Sequence, residues 1–372
     1  MTLHSTKKPL PVKKRVLIIH QNFPGQFKHI AGVLRDHPDV ELVGIGKTTA
    51  PGMPGVHWVR YKTHRNGSQS IHPYCRNMEA AVLHGQAIVK VLLELKASGF
   101  EPDVVLAHPG WGETLYLRQV FPAVKLIHLC EWFYSAQGSD MGFDPEFPTT
   151  LDTRLKVSTW QAHHLMALEQ CDIAIAPTYW QKSQFPRTYH TKIQVIHEGI
   201  DTQRLRPDAH AQLRLPNGMT LKAGDPVITY VARNLEPYRG FHVLMRTLPA
   251  LLDAHPQCHV LIVGGDKVSY GGAPKDALDW REKMLREVNV DPARVHFLGV
   301  VPYLIYQKVL QISAAHIYLT YPFVLSWSML EAMASGCLVI GSDTAPVREV
   351  IRHGENGLLV DFFSTQHIVL NP

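Results

Sequence analysis

Residues 321–361 read YPFVLSWSMLEAMASGCLVIGSDTAPVREVIRHGENGLLVD. This run holds a loop, a helix, a buried strand, a second helix and a glycine-bounded turn. The first helix is expected over 327–335, with a capping serine before it, Ser326 or Ser328, and Gly336 after it. Residues 337–341 are apolar without polar alternation, the pattern of a parallel strand covered on both faces. Glu331 falls near the start of a helix that follows a loop. A helix start is electropositive and favours phosphate, so a carboxylate there suggests a ligand carrying both a diphosphate and sugar hydroxyls.

The same alternation runs outward through the chain. A strand signal at 15–20 (RVLIIH) is followed by the turn QNFPG and a helix over 26–35. Further strands are expected at 40–45, 103–107, 124–129, 173–176 and 193–196, with helices over 79–97, 114–120 and 155–169. The pattern restarts after residue 224, with strands at 227–231, 259–263, 295–298 and 316–319 and helices over 241–252, 279–288 and 303–311. Between the two series, EGIDTQRLRPDAHAQLRLPNGMTLKAGD is rich in turn formers and charge. The expected division is therefore a basic tail over 1–14, one α/β domain over 15–205 and a second over 206–372. The alternative is one large doubly wound sheet, which a chain of 372 residues disfavours. Ligands of such sheets lie beyond the carboxyl ends of the strands, which for two facing domains means a cleft between them.

Composition narrows the function. With 45% hydrophobic and 19% charged residues the chain is a globular protein, and it contains no apolar run long enough to span a bilayer. The start, MTLHSTKKPLPVKKR, is basic but lacks the apolar segment of a secretory signal. The five cysteines show no zinc or redox spacing, which fits a reduced, cytoplasmic chain. No metal-ligand spacing occurs among the 22 histidines, so no metal is expected; His163 and His164, adjacent on a helix, should point to different faces. The net charge of +5 suits an anionic small substrate or peripheral contact with an anionic membrane surface. No dense basic stripe with interleaved aromatics supports nucleic-acid binding.

Several residues at strand ends could carry chemistry. Arg233 follows VITYVA, and Arg239 lies six positions on in NLEPYRGF. Two cations in one strand-end loop suit a diphosphate; the bland alternative is a surface pair bound to Glu236. Gly25 would let the backbone approach a ligand closely, but the GxGxxG fingerprint of a dehydrogenase is absent. His108 opens HPGWGE at a strand end and could bond a hydroxyl or shuttle a proton, or simply satisfy a loop carbonyl. Glu131 sits among Trp132, Phe133 and Tyr134, where apolar surroundings would raise its pKa and suit acid–base work, or where the rings simply pack.

Taken together, FPGQFKHIA, HPGWGETL, CEWFY, IHEGIDTQRLRP, YVARNLEPYRGF, VHFLGVVPY, LEAMASGCLVIGSDTAPVREVI and HGENGLLV resemble the family-four glycosyltransferases. The resemblance covers most of the chain. It implies the GT-B fold, α/β with two Rossmann-like domains, and a nucleotide-diphosphate-sugar donor held by the second. Arg233 and Arg239 match the basic pair that holds the diphosphate, and Glu331 the glutamate that contacts the ribose. Backbone groups around Leu325, Ser326 and Trp327 would face the distal phosphate and sugar, and the loop from Gly299 to Tyr303 would line the base. The likeness further implies retention of configuration, no metal and no other cofactor, with the leaving diphosphate taking the acceptor proton.

Three features depart from the resembled pattern. A first glutamate is expected eight positions before Glu331, where this chain has Phe323. In the resembled family a histidine after the fifth strand lies near the reacting centre; here the local candidates are His128 and Glu131, between which register does not decide, and Glu131, beyond the strand end, is the better placed. The chain also stops at STQHIVLNP, where the family continues, which implies an incomplete second domain. The sequence-level expectation is a cytoplasmic transferase acting on an unidentified acceptor in polysaccharide, lipid or glycoside synthesis. A non-catalytic nucleotide-sugar-binding subunit and an epimerase of the same fold are the alternatives.

Overall fold

The computed structural model describes residues 13–369, so residues 1–12 of the expected basic tail lie outside the described residues. The described residues form two compact units, residues 13–141 with 148–199, and residues 142–147 with 200–369.

The first unit is a seven-stranded parallel sheet. Its strands are β1 (Lys14–Ile19), β2 (Val40–Lys47), β3 (His57–Tyr61), β4 (Val104–Ala107), β5 (Lys125–Leu129), β6 (Ile173–Ala176) and β7 (Ile193–Val195), in the order β3-β2-β1-β4-β5-β6-β7. Its helices are α1 (Lys28–Asp36), α2 (Arg76–Ala97), α3 (Leu117–Val120), α4 (Leu151–Gln170) and α5 (Tyr179–Ser183). The apolar run of β1 has a direct cause. Leu17 and Ile19 enter one core while Val16 and Ile18 enter the other, so every side chain of the alternation is covered.

The second unit begins with a hairpin, β8 (Gln212–Arg214) and β9 (Thr220–Lys222), then a six-stranded parallel sheet. Its strands are β10 (Val227–Asn234), β11 (His259–Gly265), β12 (Val295–Gly299), β13 (Ala315–Tyr318), β14 (Leu338–Ser342) and β15 (Leu358–Val360), in the order β12-β11-β10-β13-β14-β15. The helices are α6 (Phe241–Ala254), α7 (Trp280–Glu287), α8 (Tyr303–Gln311), α9 (Trp327–Ala334), α10 (Ala345–Arg348) and α11 (Thr365–Val369). Ser326 is the cap of α9, its Oγ accepting the Ser328 N–H at 3.3 Å.

In each parallel sheet the first of its strands in chain order lies beside its second and its fourth. The order reverses between β1 and β4 in one unit and between β10 and β13 in the other, and such switch points are where doubly wound sheets bind ligands.

Several elements differ from the sequence reading. β3, β15, α5, α11 and the β8–β9 hairpin were not expected, the hairpin lying inside the supposed linker. The units divide at Gly199 and Ile200 rather than at 205/206, and the short segment Gly142–Phe147 packs with the second unit. There Asp144 Oδ2 accepts from His242 Nε2 at 3.0 Å and from the Tyr321 hydroxyl at 2.7 Å, all three buried. Phe143 packs on Tyr321, Phe362 and Phe363.

Candidate functional site

In the first unit the strand ends at the switch point carry a polar chain. His20 follows β1 and His108 follows β4. The Asn22 N–H donates to His20 Nδ1 at 2.9 Å, so His20 Nε2 bears the proton and donates to Gln26 Oε1 at 2.6 Å. The Gln26 amide then donates to Glu131 Oε1 at 2.9 Å. From the other side, the Gly110 N–H donates to His108 Nδ1 at 3.1 Å, so His108 Nε2–H faces Glu131 Oε2 at 3.3 Å. Both arms deliver hydrogen-bond donors to one carboxylate.

Glu131 therefore behaves opposite to the sequence expectation. Burial alone would raise its pKa, but the His108 and Gln26 hydrogen bonds and the nearby His108 and His20 rings outweigh it and lower it to about 2. Aromatic neighbours suggested a proton donor; hydrogen bonding makes it a fixed anion. Its side chain keeps 29% exposure, so it can still accept a ligand hydroxyl. His128 lies within β5, fully buried, and burial pushes its ring down to about 3, so it is a neutral core residue.

Gly25 has a steric cause that the sequence did not show. Its φ is +51°, and a Cβ there would stand 2.2 Å from the His20 ring. The glycine makes room for the His20 ring. His163 and His164 do not diverge as expected: both are buried on α4 with ring centroids 4.1 Å apart. A second carboxylate, Glu113, is 1% exposed and accepts from the Tyr61 hydroxyl at 2.8 Å. Burial pushes it up to about 7, against the pull of that hydrogen bond and of His108 and Lys47.

In the second unit Arg233 and Arg239 leave the end of β10 in different environments. Arg233 is exposed, and its side chain makes no hydrogen bond or ion pair among the described residues. Arg239 is 6% exposed, with Nη1 donating to Tyr318 Oη at 3.2 Å, Thr320 Oγ1 at 2.8 Å and the Val324 carbonyl at 3.0 Å. Its guanidinium lies 5.4 Å from the Tyr270 ring centroid and 6.0 Å from that of Phe323. No carboxylate pairs with it among the described residues. The surface-pair alternative fails, because buried Glu236 instead accepts the backbone N–H groups of Ser269, Tyr270 and Gly271 at 3.0–3.1 Å. A buried cation without an anion is costly, and an incoming diphosphate would relieve it.

Glu331 is buried on α9 and accepts from the Tyr303 hydroxyl at 3.0 Å and the Tyr306 hydroxyl at 2.6 Å, both on α8. Burial and the Glu331 charge push both phenols up, so they remain protonated donors. Each carboxylate oxygen retains capacity for one further donor, such as a sugar hydroxyl. Ser326 corrects another expectation: its N–H does not project toward a ligand but donates to Tyr318 Oη at 2.8 Å. Leu325 is a core side chain beside Met329 and Tyr306. Gly299, φ +64°, ends β12 with no heavy atom within 4 Å of a built Cβ, leaving the loop before Tyr303 open. Phe323, in place of the expected glutamate, is 2% exposed and covers Arg239.

Sequence reasoning missed His20, Gln26, Tyr318 and the tyrosine pair. Each had a signal: His20 directly follows β1, Tyr318 ends the strand on the other side of a switch point, and Tyr303 and Tyr306 share a helix face at i, i+3. Among the described residues, Asp144, Glu146 and His242 could bring three metal-ligand atoms within 4.8 Å of one another. These atoms already bond each other or Arg246, which holds Glu146 at 2.7 and 3.0 Å, so a guanidinium stands where a cation would.

Comparison with known proteins bears on the family and the fold. Residues 38–205 match the Glycosyl transferase family 4 group and residues 225–369 match Glycosyl transferases group 1. The chain is 30% identical over 201 residues to a D-inositol 3-phosphate glycosyltransferase of Nocardia farcinica, covering 52% of this chain and 42% of that protein. It is 29% identical over 267 residues to the one of Rhodococcus opacus, covering 70% and 54%. The chain thus spans about half the length of the curated relatives it matches. Among solved structures, sucrose-phosphate synthase from Thermosynechococcus elongatus superposes with a TM-score of 0.68 at 17% identity, over 96% of this chain and 88% of that one. HepE from Anabaena, solved with UDP and glucose, gives 0.64 at 17% identity with the same coverage, 96% and 88%. These two likenesses speak to the fold. Residues 38–205 thus resemble the family 4 group of glycosyltransferases and residues 225–369 the group 1 glycosyltransferases, and the two parallel-sheet units are those of the GT-B fold.

Proposed function

We propose that the protein transfers a sugar from a nucleotide-diphosphate-sugar donor to an acceptor, with retention of configuration and without a metal. The observation that carries this reading is Arg239, a guanidinium enclosed at a switch point with hydroxyls, a carbonyl and aromatic rings around it but no carboxylate. Arg239 and Arg233 hold the diphosphate and stabilise the charge that builds on it as the glycosidic bond breaks. Glu331, oriented by Tyr303 and Tyr306, holds the ribose, and the open loop at Gly299 accommodates the base. The leaving diphosphate takes the acceptor proton. In the first unit, anionic Glu131 and the His108 N–H offer an acceptor and a donor to substrate hydroxyls. The relatives' inositol 3-phosphate makes phosphorylated polyols the first acceptors to try, before polysaccharide, lipid or glycoside acceptors. We place the protein in the cytoplasm, with contact to anionic membrane surfaces, a reading supported by the net charge of +5 and checked by vesicle co-sedimentation.

The test is mass-spectrometric screening of UDP-, ADP- and GDP-sugars with candidate acceptors, with and without EDTA. Sugar transfer that survives EDTA is the expected result. If no nucleotide sugar binds, the reading is wrong. Phe323 favours a second reading, a non-catalytic nucleotide-sugar binder, which saturable binding without turnover would support.

A further inference from the structure

Gly110 takes part in two hydrogen bonds that meet at the first unit's site. Its N–H donates to His108 Nδ1 at 3.1 Å, and its carbonyl accepts from Nε2 of His163, on α4, at 3.1 Å. His163 is 2% exposed, so this second bond is shielded from water. The turn between them has no slack. A Cβ on Gly110 would stand 2.6 Å from His108 Cε1, and Trp111 stacks on the imidazole with centroids 4.6 Å apart. A shift of the backbone about the Gly110 Cα would therefore withdraw the N–H from Nδ1 and release the ring that points Nε2–H at Glu131.

We propose that His163 is a positioning residue: by gripping the Gly110 carbonyl it restrains the backbone at Gly110, whose N–H on the preceding peptide sets the tautomer of His108 and aims His108 Nε2–H at Glu131. The inference rests on the reading of His108 and Glu131 as substrate-facing groups. A histidine that only filled the core would be replaceable by an apolar residue without effect on His108. His163 acts on the ring one peptide away, and small displacements of such a group are expensive in rate.

The test uses the full chain labelled with ¹⁵N-histidine, so that imidazole nitrogen shifts report the tautomer of His108, and follows UDP-glucose turnover alongside. In the parent protein His108 should be the Nε2–H form. His163→Leu should let the tautomers mix and lower turnover about tenfold, with the KM for UDP-glucose unchanged. His163→Gln, which keeps an N–H donor, should restore both. His163→Met gives the same reading if the leucine variant does not fold. An unaltered His108 signal in the leucine or methionine variant would overturn the inference, as would a glutamine variant no better than leucine. In a double-mutant cycle with His108→Gln the losses should not multiply; multiplying losses also overturn it. Full turnover by His108→Gln alone would instead remove the underlying reading of the site.

Discussion

Arg239 and Ser326 share one acceptor: the Tyr318 hydroxyl takes a hydrogen bond from the guanidinium at 3.2 Å and from the Ser326 N–H at 2.8 Å. The buried cation and the cap of α9 are thereby tied to one oxygen at the end of β13, and α9 also carries Glu331. Tyr318→Phe should loosen both at once. The expected outcome is a destabilisation of about 1–3 kcal/mol, from a donor left buried and unpaired, with a raised KM for the nucleotide sugar. Chemical denaturation and steady-state kinetics check it.

Arg233 offers the cleaner separation of function from folding. It is exposed and unpaired among the described residues, so Arg233→Ala should leave the melting temperature unchanged. Losing one charge-assisted bond to the diphosphate should lower kcat/KM about 10- to 100-fold. Retention of full activity would sink the phosphate assignment.

Glu131 should act as an anion across the working range. Its folded pKa, about 2, is below that of the unfolded chain, so its contribution to stability is complete above about pH 4.3 and fades as pH falls toward 2. Glu131→Gln should therefore lose stability relative to the parent at pH 7, with the gap closing below pH 4. Denaturation midpoints over that range decide the point, and Glu131 should contribute no inflection to the pH–rate profile above about pH 5.

Glu113 should show the opposite linkage. Its folded pKa, about 7, is above the unfolded value, so the parent is favoured at low pH and loses stability as pH rises from about 4.5 through 7. Glu113→Gln keeps an acceptor for Tyr61 and carries no charge. It should be the more stable protein at pH 8, by on the order of 3 kcal/mol, and the difference should vanish near pH 4.

Gly25→Ala tests why that glycine is there. An alanine at φ +51° meets the His20 ring, so the substitution should cost about 1–3 kcal/mol and disturb His20 rather than donor affinity. Calorimetry and a nucleotide-sugar titration separate the two effects.

Strand-and-helix order was legible because both sheets are parallel and covered on both faces, which writes each strand as an apolar run and each crossover as a helix. α8 came out residue for residue at 303–311. β3 was hidden because HWVRY is half exposed and reads as a polar loop. The hairpin was hidden by its setting, although Asn217-Gly218 between LRL and MTLK is a strong turn signal. Strand ends pointed to Arg233, Arg239, His108 and Glu131, but not to their surroundings. That Glu131 collects donors from Gln26 and His108, and that Ser326 turns its N–H to Tyr318, depend on contacts between residues far apart in sequence, which no local pattern encodes.

The Gly142–Phe147 strap makes the molecule indivisible at any single cut. A fragment starting at residue 200 would carry His242 and Tyr321 but lack Asp144, exposing buried surface with its hydrogen bonds unmet. A fragment ending at 199 would carry the loose strap with its aromatic Phe143 and Phe147 uncovered. During synthesis the strap emerges well before the strands and helices that cover it, so the early chain carries a sticky patch until the later half is complete.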